Sequence, residues 1–360
     1  MEKKKLRVGI IGAGSIGAIH AEAYQSLAES EVLAITDVHL PLAQKVANTY
    51  GIEQVYERME DLLDDERIDA VVVAVPNKFH ESIAVAALEK GKHVMIEKPL
   101  AIDTAGARNI VKAQRTSGKV VMIPHQLRWD ATALAVKEEA AKGSLGDIYY
   151  AKTGWFRRKS IPGWGSWFTQ SALSGGGPLI DVGVHMLDLA IYLMGNPKPV
   201  SVFATTYAAF GERKLGIGSW GTPNWEGTFD VEDLATALIK FDNGASLQLE
   251  VSWAAHTVAE GNVSFLHLMG TEGGAVIQGN KGKFLMERFN RTADIEIAVP
   301  TQAEDSRVLL NRHFIDCIER GTEPMTSAYS GLTNLAIIEA IYESGKTGKQ
   351  VDVNIDGELA

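Results

Sequence analysis

The sequence predicts an α/β domain with a doubly wound parallel sheet, followed by an α+β domain with a large, mostly antiparallel open sheet. In the first third of the chain, short β-branched runs alternate with longer segments of helical period. After about residue 146, longer alternating strands replace them. A length of 360 residues exceeds the usual size of one hydrophobic core, so we place one domain at residues 1–124 and a second at residues 125–360.

For the first domain the sequence pattern predicts alternating strands and helices. The predicted strands are 6–11, 32–36, 70–75, 93–96 and 120–123, and the predicted helices are 16–27, 42–50, 79–90 and 104–117. Gly51, Gly91 and Gly118 follow three of these helices, where a left-handed residue commonly ends a helix. Short connections of this kind are typical of parallel sheets covered by helices.

For the second domain the sequence pattern predicts a sheet with a few helices. The predicted strands are 148–156, 199–207, 234–241, 245–252 and 263–269, and the predicted helices are 178–194, 307–320 and 331–344. Asp242, Asn243 and Gly244 form a strong hairpin signal between two of the strands.

Composition excludes several classes of partner. The formal net charge is -10, with 45 acidic and 35 basic residues, so we predict no nucleic-acid or anionic-membrane partner. A single cysteine, Cys317, cannot form an internal disulfide, which favours a reducing compartment. No segment approaches the ~18 apolar residues of a membrane span. We therefore expect a cytoplasmic protein.

A glycine motif links the first predicted strand to the first predicted helix. Gly12, Gly14 and Gly17 make a G-x-G-x-x-G pattern, with Ser15 and Ile16 opening the helix. In this setting the glycines permit a tight turn, close approach of a pyrophosphate and close helix packing. The pattern predicts a Rossmann domain that binds a dinucleotide. Asp37 ends the second strand, where a carboxylate binds ribose hydroxyls and repels a 2'-phosphate, so NAD is favoured over NADP.

Two further loops lie where ligands of open α/β sheets bind, beyond the carboxyl ends of strands. Pro76, Asn77 and His80 follow one strand and can reach a cofactor, although His80 also fits an ordinary helix start. Glu97 and Lys98 precede Pro99 after the next strand, and charged groups there are costly unless paired or functional. A solvated loop lysine is the alternative for Lys98.

A second glycine run precedes a predicted helix that carries a carboxylate and an imidazole. Asp181, His185 and Asp188 share one helical face at i, i+4 and i+7. We expect Gly175 to Gly177 to let a ligand approach the backbone closely. An oriented base and a buried, satisfied His–Asp pair are both consistent with this pattern. We predict no metal site, because a third ligand is lacking.

Aromatic residues precede that glycine run. Trp164 and Trp167 could face a sugar ring or pack between elements, and the sequence leaves both open. Trp253 is expected in the core.

With these motifs the chain resembles the Gfo/Idh/MocA family of oxidoreductases over nearly its whole length. The resemblance rests on Gly12 to Gly17, Pro76-Asn77 with His80, Glu97-Lys98-Pro99 and the Gly175 to Asp188 segment. It implies that His185 is the general base, that Asp181 supports it, and that Lys98 binds the reacting oxygen. It also implies cofactor contacts from Glu97, Lys98 and Gln126 and substrate contacts from Arg128 and His185.

The resemblance implies an NAD-dependent dehydrogenase that oxidises a secondary hydroxyl of a sugar or cyclic polyol, working as a homodimer or homotetramer through the C-terminal sheet. Two alternatives stay open. Some relatives are glycosidases that retain NAD and oxidise the sugar only transiently, and one kind of relative is a non-catalytic nucleotide sensor. Intact Lys98, Asp181 and His185 argue against the sensor.

Overall fold

The computed structural model describes residues 5–257, 263–298 and 304–355. The chain forms two compact units, the first from residues 1–126 with 304–332 and the second from 127–303 with 333–357. The prediction divides the chain at a single point, after residue 124. In the structure each unit is instead built from more than one segment of the chain. Residues 304–332 lie in the first unit although they follow the strands of the second.

A six-stranded parallel sheet forms the first unit. Its strand order is β3-β2-β1-β4-β5-β6. The strands are β1 Leu6–Ile11, β2 Ser30–Thr36, β3 Gln54–Tyr56, β4 Ala70–Val73, β5 His93–Ile96 and β6 Val121–Met122. The helices between them are α1 Ser15–Gln25, α2 Leu40–Tyr50, α3 Met59–Asp64, α4 His80–Glu89 and α5 Thr104–Ser117. The predicted doubly wound parallel sheet is confirmed.

The burial of the central strands explains why the elements of the first unit could be predicted from the sequence. β4 is buried at every position and β1 at its last four, as expected of a parallel sheet covered on both faces. Gly51 and Gly118 end α2 and α5 with φ values of +67° and +65°. β3 was missed because its three residues are only half-buried and show no apolar run.

A nine-stranded sheet forms the second unit. Its order is β14-β13-β12-β11-β7-β10-β9-β8-β15, and only the β10–β7 pair is parallel. The strands are β7 Ile148–Phe156, β8 Pro199–Tyr207, β9 Leu234–Phe241, β10 Ser246–Ser252, β11 Val263–Gly270, β12 Gly274–Gln278, β13 Lys281–Arg288, β14 Arg291–Glu296 and β15 Val351–Asp352. The predicted mostly antiparallel sheet is confirmed, and β12 to β15 extend it.

Helices α6 Ala131–Ala141 and α8 Val184–Leu193 of the second unit pack against this sheet. The short helix α7 Ser171–Ser174 and a π-helical turn at Leu179–Gly183 precede α8. All ten residues of α8 are buried. By length and composition Ser171–Leu193 could cross a membrane, but 94% of its most apolar window is buried inside the protein, as in a core helix.

The last two helices are α9 Ser306–Arg320 and α10 Ala328–Thr347. α9 belongs to the first unit and buries Cys317 on one face. The division between the units falls inside α10, after residue 332.

Candidate functional site

The three motif glycines of the first unit meet different surroundings. Gly12 has a φ of +103°, and a Cβ there would lie 2.3 Å from the carbonyl oxygen of Ala74. A Cβ on Gly17 would lie 2.0 Å from the carbonyl oxygen of Gly12. Around Gly14, by contrast, a Cβ would meet no atom within 4 Å. Gly12 and Gly17 are therefore required by the fold itself, whereas Gly14 keeps the backbone open at the start of α1.

The start of α1 has the properties of an anion site. Ser15 and Ile16 lie in its first turn, and no side chain caps it. Backbone N–H groups at a helix start, beside an open glycine, suit a pyrophosphate. This arrangement fits the binding of a dinucleotide.

Asp37 is held against the same loop. Its Oδ2 accepts a hydrogen bond from the Ala13 backbone N–H at 2.7 Å, and its Oδ1 accepts one from the His39 N–H at 2.7 Å. Both bonds orient the carboxylate at the end of β2, where the motif places a ribose.

His80 is fully buried between two loops. Its Nδ1 lies 2.7 Å from the carbonyl oxygen of Pro99 and its Nε2 lies 2.9 Å from that of Val75. Burial lowers the pKa of His80, and the two carbonyl contacts oppose that effect. The imidazole thus ties the loop after β4 to the loop that carries Lys98. Its neighbours Pro76 and Asn77 form the turn before α4, and Asn77 is buried.

Glu97 contacts the middle of α1 through His20. Its Oε1 is 2.9 Å from His20 Nε2, and its Oε2 accepts a hydrogen bond from the Lys98 backbone N–H at 3.2 Å. Burial raises the pKa of Glu97, but the hydrogen bond from His20 and the charges of His20, Lys98 and Arg307 outweigh burial and lower it. An ionised Glu97 therefore anchors the Lys98 loop to α1. Gln126 ends the first unit, with its N–H bonded to the carbonyl of Pro124 at 2.9 Å.

In the second unit a buried carboxylate clamps the glycine run. Glu232 accepts hydrogen bonds from the N–H of Gly177 at 2.9 Å, the N–H of Leu179 at 3.0 Å and the hydroxyl of Tyr342 at 3.1 Å. Burial raises the pKa of Glu232 to about 7, although these hydrogen bonds lower it. The clamp fixes the turn that leads into the π-helix.

Two of the three glycines expected to admit a ligand, Gly176 and Gly177, pack closely against the protein itself. A Cβ on Gly176 would lie 1.9 Å from the Tyr342 hydroxyl, and one on Gly177 would lie 2.0 Å from the carbonyl oxygen of Glu232. The space beside these two glycines is filled by the protein. They are needed for close packing of the chain against itself rather than for the approach of a ligand.

Asp181 lies within the π-turn, and His185 lies in the first turn of α8. The indole N–H of Trp253 donates to Asp181 Oδ2 at 2.9 Å. Burial lowers the pKa of the Arg157 guanidinium, and the negative charge of Asp181 opposes that effect. His185 is 8% exposed, and the ring of Trp155 stands edge-on to it at 6.4 Å between centroids. π-turns inside helices are frequent at functional sites.

Asp188 is committed to a buried ion pair. Arg128 Nε donates to Asp188 Oδ2 at 2.7 Å, Arg128 Nη2 donates to Oδ1 at 2.6 Å, and Asn334 Nδ2 donates to Oδ1 at 3.0 Å. Arg128 and Asp188 are 3% and 1% exposed. The guanidinium of Arg128, from which a substrate contact was expected, is thus bound to Asp188 inside the unit.

The two tryptophans predicted near the substrate lie in different surroundings. Trp164 packs in an apolar cluster with Trp253 and Phe229, and its indole N–H donates to the carbonyl of Gly211 at 2.7 Å. Trp167 is partly exposed, and its ring lies 3.7 Å from that of Phe168 between centroids. Of the two, only Trp167 presents an aromatic surface.

Two residues of this site were not predicted as such. Glu232 comes one residue before Asp233 in a segment without a motif, and Trp253 was interpreted only as core. A buried carboxylate and a core tryptophan carry no spacing signal, because their partners are distant in sequence. Within the described ranges no group of three or more His, Cys, Asp or Glu side chains is arranged to hold a metal ion.

Comparison with known families matches both units. The chain matches "Oxidoreductase family, NAD-binding Rossmann fold" over residues 6–125 and "Oxidoreductase family, C-terminal alpha/beta domain" over residues 137–353, both of the Gfo/Idh/MocA group. The two matches together cover most of the chain.

Similar proteins act on sugars and inositols. The chain is 34% identical to D-glucoside 3-dehydrogenase from Escherichia coli, over 98% of this chain and 99% of that protein. It is 25% identical to scyllo-inositol 2-dehydrogenase (NAD(+)) from Bacillus subtilis, over 98% and 97%. Among solved structures, levoglucosan dehydrogenase in complex with NADH is 26% identical, with a TM-score of 0.88 over 98% of this chain and 100% of that one.

Proposed function

Because this chain belongs to the Gfo/Idh/MocA family and is an NAD-dependent oxidoreductase, we propose that it oxidises a secondary ring hydroxyl of a D-glucopyranoside. The observation that carries the proposal is the placement of Asp181 in the π-turn and of His185 in the first turn of α8, in a chain that matches D-glucoside 3-dehydrogenase over 98% of its length. Oxidation of a carbinol needs a base for the hydroxyl proton, and an imidazole beside a carboxylate suits that task.

The first unit would hold the nucleotide. The open backbone at Gly14 and the uncapped start of α1 suit the pyrophosphate, and Asp37 suits the ribose hydroxyls of NAD rather than the 2'-phosphate of NADP. When bound, NAD supplies the acceptor for the hydride that leaves the carbinol carbon.

The side chains would divide the remaining chemistry. His185 takes the hydroxyl proton as general base, and Asp181 orients and supports it. Lys98 hydrogen-bonds the reacting oxygen and stabilises its developing negative charge. Two features support the role of Lys98: Glu97 holds its backbone N–H, and His80 binds the carbonyl of the next residue, so its loop is braced on both sides. Trp167 is the aromatic candidate for a C–H face of the sugar.

We further propose a homodimer or homotetramer formed through the outer face of the nine-stranded sheet, in the cytoplasm. Val200, Phe203 and Tyr207 of β8 are 45–52% exposed, and Leu238 of β9 is paired with Phe203. A row of exposed apolar side chains on one sheet face is typical of an interface.

The test is NADH absorbance at 340 nm after mixing the purified protein with NAD and, separately, methyl glucosides, free hexoses and inositols. The proposal predicts steady NADH formation that is fastest with a glucopyranoside. Steady turnover of inositols alone would replace the substrate class. No NADH from any of them, with nucleotide retained on the protein and glycoside cleaved, would favour the transient-oxidation glycosidase instead.

A further inference from the structure

We infer that Trp253 is a positioning residue for this reaction, whose indole N–H holds in place the carboxylate of Asp181, four residues before the proposed base His185. The inference rests on the proposed function, because it assigns to Trp253 an effect that passes through Asp181. Trp253 itself is fully buried and would touch neither substrate nor cofactor.

The indole is fixed on all sides. Trp253 follows β10 directly, its backbone N–H donates to the carbonyl of Asp233 at 3.0 Å, and its carbonyl accepts from the N–H of Ser160 at 2.9 Å. Its ring packs in the cluster of Ile161, Trp164, Phe229, Val231 and Ala254. A donor held so rigidly defines where its acceptor must lie. Its 2.9 Å bond to Asp181 Oδ2 therefore specifies the position of one carboxylate oxygen.

The chemistry of the indole suits this role. An indole N–H can donate a hydrogen bond but cannot accept one. It therefore favours the ionised carboxylate and offers no acceptor to a protonated Asp181. The positive charge of Arg157 acts on Asp181 in the same direction. An anionic, fixed Asp181 is what His185 needs when it carries the proton taken from the hydroxyl, because the negative charge stabilises the imidazolium.

The surroundings of Asp181 explain why such a partner is needed. The residue lies in a five-residue π-turn, where the regular spacing of helical side chains is interrupted. Helical geometry alone therefore does not define the direction of the Asp181 side chain. The contact with Trp253, 72 residues away, adds that constraint from the sheet.

The test is a double-mutant cycle in kcat with Trp253→Phe and Asp181→Ala, measured with NAD and the preferred glucopyranoside. W253F keeps most of the ring volume and removes the donor. We expect kcat to fall about 10- to 100-fold, as for the loss of a hydrogen bond to a charged group, with the KM values for NAD and glucoside changed less than about threefold. In the D181A background W253F should have no further effect, since the residue acts through Asp181.

Trp164→Phe is the matched control. It removes an indole N–H in the same cluster, bonded to a backbone carbonyl instead of Asp181. Its effect on kcat, whatever its size, should be the same with and without D181A, and its fall in Tm gives the cost of losing a buried indole donor. If W253F lowers kcat by the same factor in both backgrounds, or leaves kcat unchanged, Trp253 is only a packing residue.

A failure of the proposed function looks different, because the wild-type protein would then give no steady NADH with a glucopyranoside, or D181A alone would leave kcat at the wild-type value. Proton NMR of the indole N–H groups gives a second reading that does not need W253F to fold. The Trp253 signal should move upfield in D181A while the Trp164 signal stays in place. An unmoved Trp253 signal would overturn the hydrogen bond itself.

Discussion

The nucleotide loop of the first unit and the π-turn of the second unit both begin with glycines, yet they are held in different ways. In the loop Gly12 and Gly17 pack against backbone of neighbouring strand and turn, and Asp37 binds the N–H of Ala13, 24 residues away. At the π-turn, Glu232 binds Gly177 from 55 residues away and Trp253 binds Asp181 from 72 residues away. The loop is shaped mainly by close backbone contacts of its glycines, whereas the turn is held by side chains that lie next to distant strands.

This difference separates two kinds of functional geometry. A loop that binds through backbone N–H groups needs residues without side chains. The spacing of its glycines in the sequence therefore indicates its function. A turn that presents an acid and a base needs charged side chains in defined directions, and these require buried partners. Substitutions in the loop should therefore destabilise the protein through steric conflict. Substitutions at the turn should act through the loss of a buried hydrogen-bond or ion-pair partner.

The largest effect on stability is expected from Asp188→Ala. This change leaves the guanidinium of Arg128 buried without its bidentate partner, which should cost about 3–5 kcal/mol. A fall in Tm by thermal unfolding checks it. Glu138→Ala on α6 is the control, since its ion pair with Lys142 is exposed and its loss should leave Tm unchanged. Equal small shifts in both variants would mean that the buried pair does not support α8.

A smaller effect, visible as a pH dependence, is expected from Glu232. Folding raises its pKa from the ordinary value of 4.5 to about 7, so between those pH values the folded chain binds more protons than the unfolded chain. Its contribution to stability is therefore fully present below pH 4.5 and is lost as the pH rises through about 7. The expected loss is on the order of 3 kcal/mol.

Glu232→Gln should flatten that fall of Tm between pH 4.5 and 7.5, because the amide does not titrate. Glu287→Gln, on an exposed position of β13, should leave the pH dependence as in the wild type. If the Tm of E232Q falls with pH as steeply as that of the wild type, the clamp does not titrate in this range.

The smallest effect on folding is expected in the loop, from a matched pair of glycine substitutions. Gly17→Ala places a Cβ against the carbonyl of Gly12 and should destabilise the first unit by about 1–3 kcal/mol. Gly14→Ala meets no neighbour, so Tm without nucleotide should not change, while the Kd for NAD should rise about tenfold or more. Unchanged NAD affinity in G14A, by calorimetry, would remove the pyrophosphate from this position.

The parts of the fold that could be predicted are those whose signal is local. β7, β8 and β9 have the predicted bounds, because alternation in a half-buried antiparallel strand repeats every second residue. β12 to β14 were missed, since their burial is partial and β14 is mostly exposed. The sequence did not indicate that residues 304–332 belong to the first unit. The apolar face of an amphipathic helix shows that the helix is partly buried, but not against which hydrophobic core it packs.

The same distinction between local and long-range signals applies to the residues of the candidate site. The motif glycines, Asp37, Lys98, Asp181 and His185 could be named from spacing and from a family resemblance. The functions of Glu232 and Trp253 could not, because each acts through a contact between residues more than 50 positions apart. Asp188 was placed on the same helical face as Asp181 and His185, but its charge is matched by Arg128, a pairing that no local pattern encodes.

The most direct test of the central claim is the kcat of His185→Ala with NAD and the preferred glucopyranoside. Removing a general base typically slows the chemical step by 10²–10⁴-fold, so we expect kcat to fall by about 100-fold or more while NAD still binds with its wild-type Kd. A kcat equal to that of the wild type would show that His185 does not take the hydroxyl proton, and the proposed mechanism would be wrong.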